Sequence, residues 1–480
     1  MKKDLFEDLG LKRVGRLKPR PASEIKGNRI GVGFESLDRY HFAPEKTYPH
    51  LAKLGAKWAR VQTGWNRCER EKGVYEFQWL DEVIDSLLNI EIQPFLTLGF
   101  GNLLYTPDAV HESARGYVAF YYGEEAAAAW REYVCRVVEH FRDRVKVWEV
   151  WNEPNTKGFW HPKPSNPEDY MHLLEETVPQ VKKACPEAVI VGGVLASVRP
   201  MHSVPFLEKC LQAGMGEWID KFGWHPYRSV PEQGYLNEVQ AIRALLRQYA
   251  PHVGLWQAEC GCQSKHGGLC EFLDIEKLNE DVQAKWVLRR IVTDLGLDLE
   301  YTQYFHTVDL FNYITDAGPT GKNQYMGLLR GNDYSEKPSF AALQALCALF
   351  DEDTKCADFI CFPELVKGHG YAQRLDVAAI QAHTFSRNER PIYVYWYPTH
   401  FDRPLETTPI TLGVWSSSPC VLKHPVLLDL MTRHVYAIGH PEESCRPGAS
   451  NRFEVPLCDY PLILTDRETL VALLEDVRDD

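Results

Sequence analysis

The sequence predicts a (β/α)8 TIM barrel, an α/β fold, followed by a C-terminal antiparallel β-sandwich. Three features point there. Short apolar runs alternate with amphipathic stretches eight times between residue 29 and about residue 350, the pattern of a parallel sheet wrapped by helices. The fourth and seventh runs end in glutamates, Glu153 and Glu259, at the strand ends where such barrels place their functional groups. After Asp351 helical spacing stops, and strand-like runs separated by turn residues take over.

Taken in order, residues 1–28 are charged and mixed and read as an extension with little structure of its own. Residues 30–34 form the first strand and 48–54 a helix; 58–61 is the second strand, with a helix near 80–88. The third strand, 92–98, runs into Gly99-Phe100-Gly101 and a polar, aromatic loop before a helix at 126–141. Val145, Val147, Trp148, Val150 and Trp151 give the fourth strand its β-branched and aromatic content. Pro154 then withholds a ladder donor and biases Glu153 away from helix, so the strand stops on a carboxylate. Strands at 189–194, 222–227, 254–259 and 300–305 follow, separated by helices at 169–183, 206–211, 236–249 and 282–295. A last helix at 338–350 closes the barrel. The β domain is expected from runs at 377–385, 391–397, 408–415, 426–429 and 452–457, giving bounds of 1–28, 29–350 and 351–480 for the three parts.

With 45% hydrophobic and 25% charged residues, the 480-residue chain has a globular composition. Lys and Arg number 53 against 66 Asp and Glu, a balance of 53 − 66 = −13, which argues against a nucleic-acid partner. The positive N-terminus lacks the apolar run of a signal peptide, and no run approaches the roughly 18 residues of a membrane span. The 13 cysteines are odd in number and fall at no framework spacing, several inside predicted elements (Cys135, Cys185, Cys210, Cys347). Reduced thiols in a cytoplasmic protein are expected.

A carboxyl at the tip of a buried strand is costly unless it is used or neutralised by a neighbouring arginine. Retaining glycoside hydrolysis uses two, about 5–5.5 Å apart. The run Trp148-Glu149-Val150-Trp151-Asn152-Glu153-Pro154-Asn155, followed by Phe159-Trp160, resembles the acid/base strand of clan A glycoside hydrolases. It looks most like family 39, the β-xylosidase and α-L-iduronidase group. The resemblance implies that Glu153 is the acid/base, that Asn152 binds the sugar 2-hydroxyl, and that Glu259 is the nucleophile. It also implies that Arg60 is the site arginine, although Arg60 could instead be the structural partner of Glu149. Strand alternation puts Glu149 on the same side as Glu153 but deeper, so it is set aside as a catalytic group. His225 and Tyr227, at the sixth strand end, are expected to touch the nucleophile or the sugar.

Trp65, Phe100, Trp160 and Trp256 are candidate sugar-stacking faces, although tryptophans are more often core. Two departures from the family pattern bear on which sugar is bound. Cys260-Gly261-Cys262-Gln263 follows the nucleophile, and Phe305 stands where the clan usually has tryptophan. Cys260, Cys262, His266 and Cys270 have the composition of a metal tetrad, but their spacing matches no zinc motif and they are read as loop thiols. No cofactor or metal is expected. The expected function is exo-acting, retaining hydrolysis of a small glycoside or oligosaccharide, β-xylosidase- or β-glycosidase-like. Transglycosylation by the same carboxylates is the alternative, and a non-catalytic carbohydrate-binding barrel a less favoured one because both glutamates are present. The partner is then a small carbohydrate, with neither nucleic acid nor membrane; self-association is left open.

Overall fold

Eight short parallel strands close on themselves in the computed structural model, which describes residues 5–197, 201–269, 273–365, 375–415, 422–439 and 451–475. They are β1 (Ile30–Gly33), β2 (Trp58–Gln62), β3 (Gln93–Leu98), β4 (Val147–Val150), β5 (Val189–Ala196), β6 (Lys221–His225), β7 (Gly254–Gln257) and β8 (Tyr301–Tyr304). Each pairs with the next, and β1 pairs with β8 to close the ring. The predicted helices lie between them; Pro167–Ala184, for example, is capped by Asn166, whose side chain accepts from the Asp169 N–H.

Side-chain alternation stacks the barrel interior in layers. Trp58, Phe95, Val147, Trp256 and Tyr301 form an aromatic floor, with the Trp256 and Tyr301 rings 4.7 Å apart. Two residues further along the same strands the layer turns polar: Arg60, Thr97, Glu149 and Gln303, all buried. The strand C-termini sit above this layer. Trp256 therefore belongs to the floor and cannot be the sugar-stacking face that its place near Glu259 suggested.

The C-terminal part is an antiparallel sandwich. Ile360–Leu365, Thr408–Trp415 and Asn451–Leu457 form a three-stranded sheet. An eight-stranded sheet contains Gln381–Arg387, Arg390–Trp396, Pro425–Asp429 and Leu462–Asp466. Leu412, Val455, Tyr393, Leu427 and Leu464 pack in the core that joins the two sheets. The N-terminal segment differs from expectation. Lys12–Leu17 is a strand of the eight-stranded sheet, paired with His434–Ala437 and Leu474–Glu475. Its partners lie more than 400 residues away, and such non-local pairing leaves no periodic trace in a short charged run.

The sandwich is joined to the barrel through the helix Glu280–Gly296. Lys285 pairs with Asp459 at 2.7 Å, and Arg289 donates to the Thr399 carbonyl at 2.9 Å. Glu232, on the barrel, accepts from both Arg289 and the Trp396 indole (2.7 Å each). Phe385, Ile392 and Trp396 share one apolar core with the barrel helices. Truncation near Asp351 would expose these faces and leave Arg289 without half of its partners. The expected result is insoluble protein, checked by comparing soluble yields; a soluble, fully active fragment would mark the sandwich as independent. No helix among the described residues is long and apolar enough to cross a membrane.

Candidate active site

The chain after β4 turns sharply to present its carboxylate. Trp151 and Glu153 both adopt left-handed backbone, φ 71° and 45°, a strained choice for side chains of this size that the surroundings must enforce. They do so with backbone bonds: Trp151 N–H donates to the Leu98 carbonyl (3.1 Å) and Glu153 N–H to the Val194 carbonyl (2.9 Å). The Trp151 indole donates to the Phe159 carbonyl at 2.7 Å. Asn155 clamps β5 by exchanging two bonds with the Ala196 backbone, 2.8 and 2.9 Å. The Trp-Asn-Glu-Pro-Asn string thus encodes a rigid turn as well as an acid.

Glu259 reaches the same point two residues beyond β7. One oxygen of Glu153, one of Glu259 and a ring nitrogen of His225 all lie within 4.8 Å of one another. His225 Nδ1 stands 2.9 Å from Glu153 Oε1 and 3.9 Å from Glu259 Oε2. Tyr227 donates its hydroxyl to Glu259 Oε1 at 2.8 Å. Arg60 lies underneath. It donates to Glu259 Oε2 (2.6 Å), Glu149 Oε1 (2.8 Å from Nε), Asn152 Oδ1 (2.6 Å) and Glu35 Oε1 (3.0 Å). With its oxygen turned toward Arg60, Asn152 has its amide N–H2 as the end left for a ligand.

Exposure separates the acids that can meet a ligand from those that cannot. Glu153 and Glu259 keep 15% and 13% of their side-chain surface, whereas Glu149 and Glu35 keep 0% and 2%. Burial pushes the Glu153 carboxyl up to about 7, while the charges of Arg115, Arg60 and His202 pull the other way. The neighbouring Glu259 carboxylate is not among the causes of that rise. Burial also lowers His225 to about 4, against the opposing pull of Glu259, so His225 is neutral near pH 7.

Arg60, Asn152, His225 and Tyr227 are therefore brought together around the two glutamates. Two of the aromatic candidates, Trp65 and Trp160, are packed elsewhere. Trp65 is fully buried, stacked between Tyr105 and Tyr133 (5.3 and 5.4 Å), with its indole N–H on Glu69. Trp160 is buried against Trp151, Tyr121 and Tyr170. Both are wall, not ligand faces, because the loops after β2 and β4 fold back over the outer helices. Phe305 is buried at the end of β8, where its N–H donates to the Cys260 carbonyl (2.9 Å). A Cβ at Gly261 would lie 2.0 Å from the Phe305 carbonyl oxygen, so only glycine lets the loop after β7 pack there. Phe100, also buried, meets Phe159 at 5.7 Å.

Cys260 and Cys262 are buried, which pushes both thiols up, Cys260 to about 12, and His266 instead meets the Glu276 carbonyl at 2.6 Å. Cys270 lies outside the described residues. Glu35 and Gln303 were not anticipated. Glu35 stands two residues beyond β1, so the strand-end rule that found Glu259 would also have found it. Gln303 is two residues from Tyr301, on the inward face of β8.

Residues 58–245, from β2 into the helix after β6, match the family described as Glycosyl hydrolases family 39. A β-xylosidase of Geobacillus stearothermophilus is 26% identical over 311 residues, 58% of this chain. The chain likewise spans only 58% of that relative's length. A family 39 glycoside hydrolase from the gut symbiont Bacteroides cellulosilyticus WH2 superposes with a TM-score of 0.63 at 19% identity, covering 93% of this chain and 81% of that one. A monomeric β-xylosidase from Caulobacter crescentus CB15 gives 0.57 at 19% identity, covering 94% and 98%. At such identity the superpositions speak for the fold alone, while the family match contains the Trp148–Asn155 string and Arg60. The chain is thus similar to family 39 of the glycosyl hydrolases from β2 into the helix after β6, within a barrel-and-sandwich fold that solved family 39 structures share.

Proposed function

We propose that the protein is a retaining glycosidase that acts from the end of a small glycoside or oligosaccharide, β-xylosidase- or β-glycosidase-like. The observation that carries this reading is the approach of Glu153 and Glu259 to within 4.8 Å. That spacing leaves no room for a water between acid and substrate face, which an inverting pair at about 6.5–9.5 Å requires. In the first step a Glu259 oxygen bonds to the anomeric carbon as the glycosidic C–O bond breaks, and Glu153 gives its proton to the departing oxygen. In the second, Glu153 takes a proton from water, whose oxygen displaces Glu259 from the same carbon. Arg60 and Tyr227 hold the Glu259 oxygens, and His225 holds Glu153. A β-xylosidase among the relatives favours a pentoside, and a cytoplasmic site would favour small substrates over polymers.

The test is a panel of p-nitrophenyl glycosides (xyloside, glucoside, galactoside, fucoside, arabinoside, uronide), with proton NMR of the best one. The first-formed sugar should keep the substrate's anomeric configuration; an inverted first product would overturn the reading. Transglycosylation differs only in the acceptor, and added alcohol or sugar acceptors in the same assay separate the two.

Glu153, His225 and Glu259 are also close enough to surround a cation. Both Glu259 oxygens already accept bonds, one from the Arg60 guanidinium, and that fixed positive charge opposes a second one. Turnover should therefore persist in EDTA, with less than one zinc per chain by elemental analysis. Loss of activity in EDTA, restored by a metal, would contradict this.

A further inference from the structure

Glu35 has no part in the two-carboxylate mechanism, yet it shares a donor with the nucleophile. Arg60 Nη1 faces Glu259 Oε2 at 2.6 Å and Glu35 Oε1 at 3.0 Å. Gln303 Nε2 donates to the same Glu35 oxygen at 2.8 Å. The other oxygen, Oε2, is buried and has no hydrogen-bond partner. It sits in space that exists because residue 33 is glycine: a Cβ there would lie 2.4 Å from it.

Charge makes the arrangement instructive. One guanidinium serves three carboxyls, Glu149, Glu259 and Glu35. If all three carry charge the buried cluster holds a net −2; with one proton it holds −1. Surplus buried charge is expensive, so the proton belongs on the group least compensated. Glu149 accepts two bonds from Arg60 and one from Thr97 on Oε1, and Glu259 has Arg60 and Tyr227. Glu149 and Glu35 each keep one buried oxygen, Oε2, with no partner. Glu149 Oε1, however, takes three donors, two of them from Arg60, whereas Glu35 Oε1 takes two and has the longest of the Arg60 contacts.

We propose that Glu35 is a positioning residue: a protonated carboxyl that steadies Arg60 while leaving its charge to Glu149 and the nucleophile Glu259. The proton sits on Oε2, and Oε1 accepts from Arg60 and Gln303. When Glu259 becomes an ester, Arg60 Nη1 keeps a partner in Glu35 and does not shift. Burial and the Glu259 charge both push the Glu35 carboxyl up, to about 7, against Arg60. The other groups facing it agree with a neutral Glu35. His306, with Nε2 3.6 Å from Oε2, is lowered to about 4 by burial and is not a cation near pH 7. Tyr301, within electrostatic reach, is raised and keeps its proton.

The catalytic part rests on the glycosidase reading; the protonation does not. Infrared spectra in D2O, wild type minus Glu35→Gln, should show a protonated carboxyl C=O band below pH 7 that disappears as pH rises through about 7. Its absence overturns the proposal whether or not any glycoside is hydrolysed. In kinetics, Glu35→Ala frees one edge of Arg60 and should lower kcat/KM by up to about 10²-fold. Glu35→Gln, an isostere of the protonated acid, should restore most of that loss. The alkaline limb of log kcat/KM should fall with a slope approaching two in the wild type, where Glu35 and Glu153 both titrate, and one in Glu35→Gln. Equal slopes, or Glu35→Gln as impaired as Glu35→Ala, would show that the proton on Glu35 has no such role.

Discussion

Replacing Glu259 by alanine should abolish turnover on every glycoside, by roughly 10⁴- to 10⁶-fold, the scale on which loss of a preorganised nucleophile is felt. Replacing Glu153 by alanine should behave differently, because the two jobs proposed for it, acid and then base, are separable. Aryl glycosides with acidic leaving groups need no proton, so their first step should survive, whereas alkyl glycosides and disaccharides should lose about 10²–10⁴-fold. Azide discriminates further. It should rescue Glu153→Ala by attacking the glycosyl-enzyme, giving a glycosyl azide of retained configuration. In Glu259→Ala it occupies the missing nucleophile's place and should give the inverted azide. The same azide from both variants would reverse or cancel the assignment. In the wild type, Glu153 must be protonated to act as acid, and its value near 7 means the working fraction falls as pH rises. The alkaline limb of kcat/KM should accordingly set in near pH 7.

The second large effect is expected at Arg60. Arg60→Met preserves volume but removes the only cation donating to Glu149, Glu259 and Glu35 among the described residues. Leaving a buried charge without its partner costs about 3–5 kcal/mol, here offset in part by protonation of the surviving acids. The variant should unfold at lower denaturant, with the largest loss at alkaline pH, where those carboxyls cannot stay neutral. Activity should also fall, because Asn152 loses the donor that turns its amide and Glu259 loses one of two anchors. Urea unfolding at two pH values, beside kcat/KM, separates the two effects. A variant as stable as wild type at high pH would show that the cluster is not held together by Arg60.

The barrel was legible because its periodicities are local. Val145 to Trp151 reads as a buried strand from composition alone, and Pro154 marks where it must end. Strand ends then pointed to Glu153, Glu259, His225 and Tyr227 without a structure, since a parallel barrel carries every strand's C-terminus to one face. Alternation also placed Glu149 below Glu153.

Tertiary structure alone decided which side chains face the cleft. Trp65 and Trp160 follow strand ends just as Tyr227 does, yet their loops turn outward and pack them into the wall. Sequence spacing carries no record of that direction. The sharing of Arg60 among three acids is likewise a fact of closure, since β1, β2, β4 and β7 meet only when the ring is complete. Lys12–Leu17 shows the same limit at the sandwich. Its strand exists because His434–Ala437 and Leu474–Glu475 offer unpaired edges, and no property of the segment itself could announce them. Local chemistry fixed the elements and named both glutamates; only the folded chain, by bringing distant groups into one low-dielectric space, decided which carboxyl is free, which is paired and which must hold a proton.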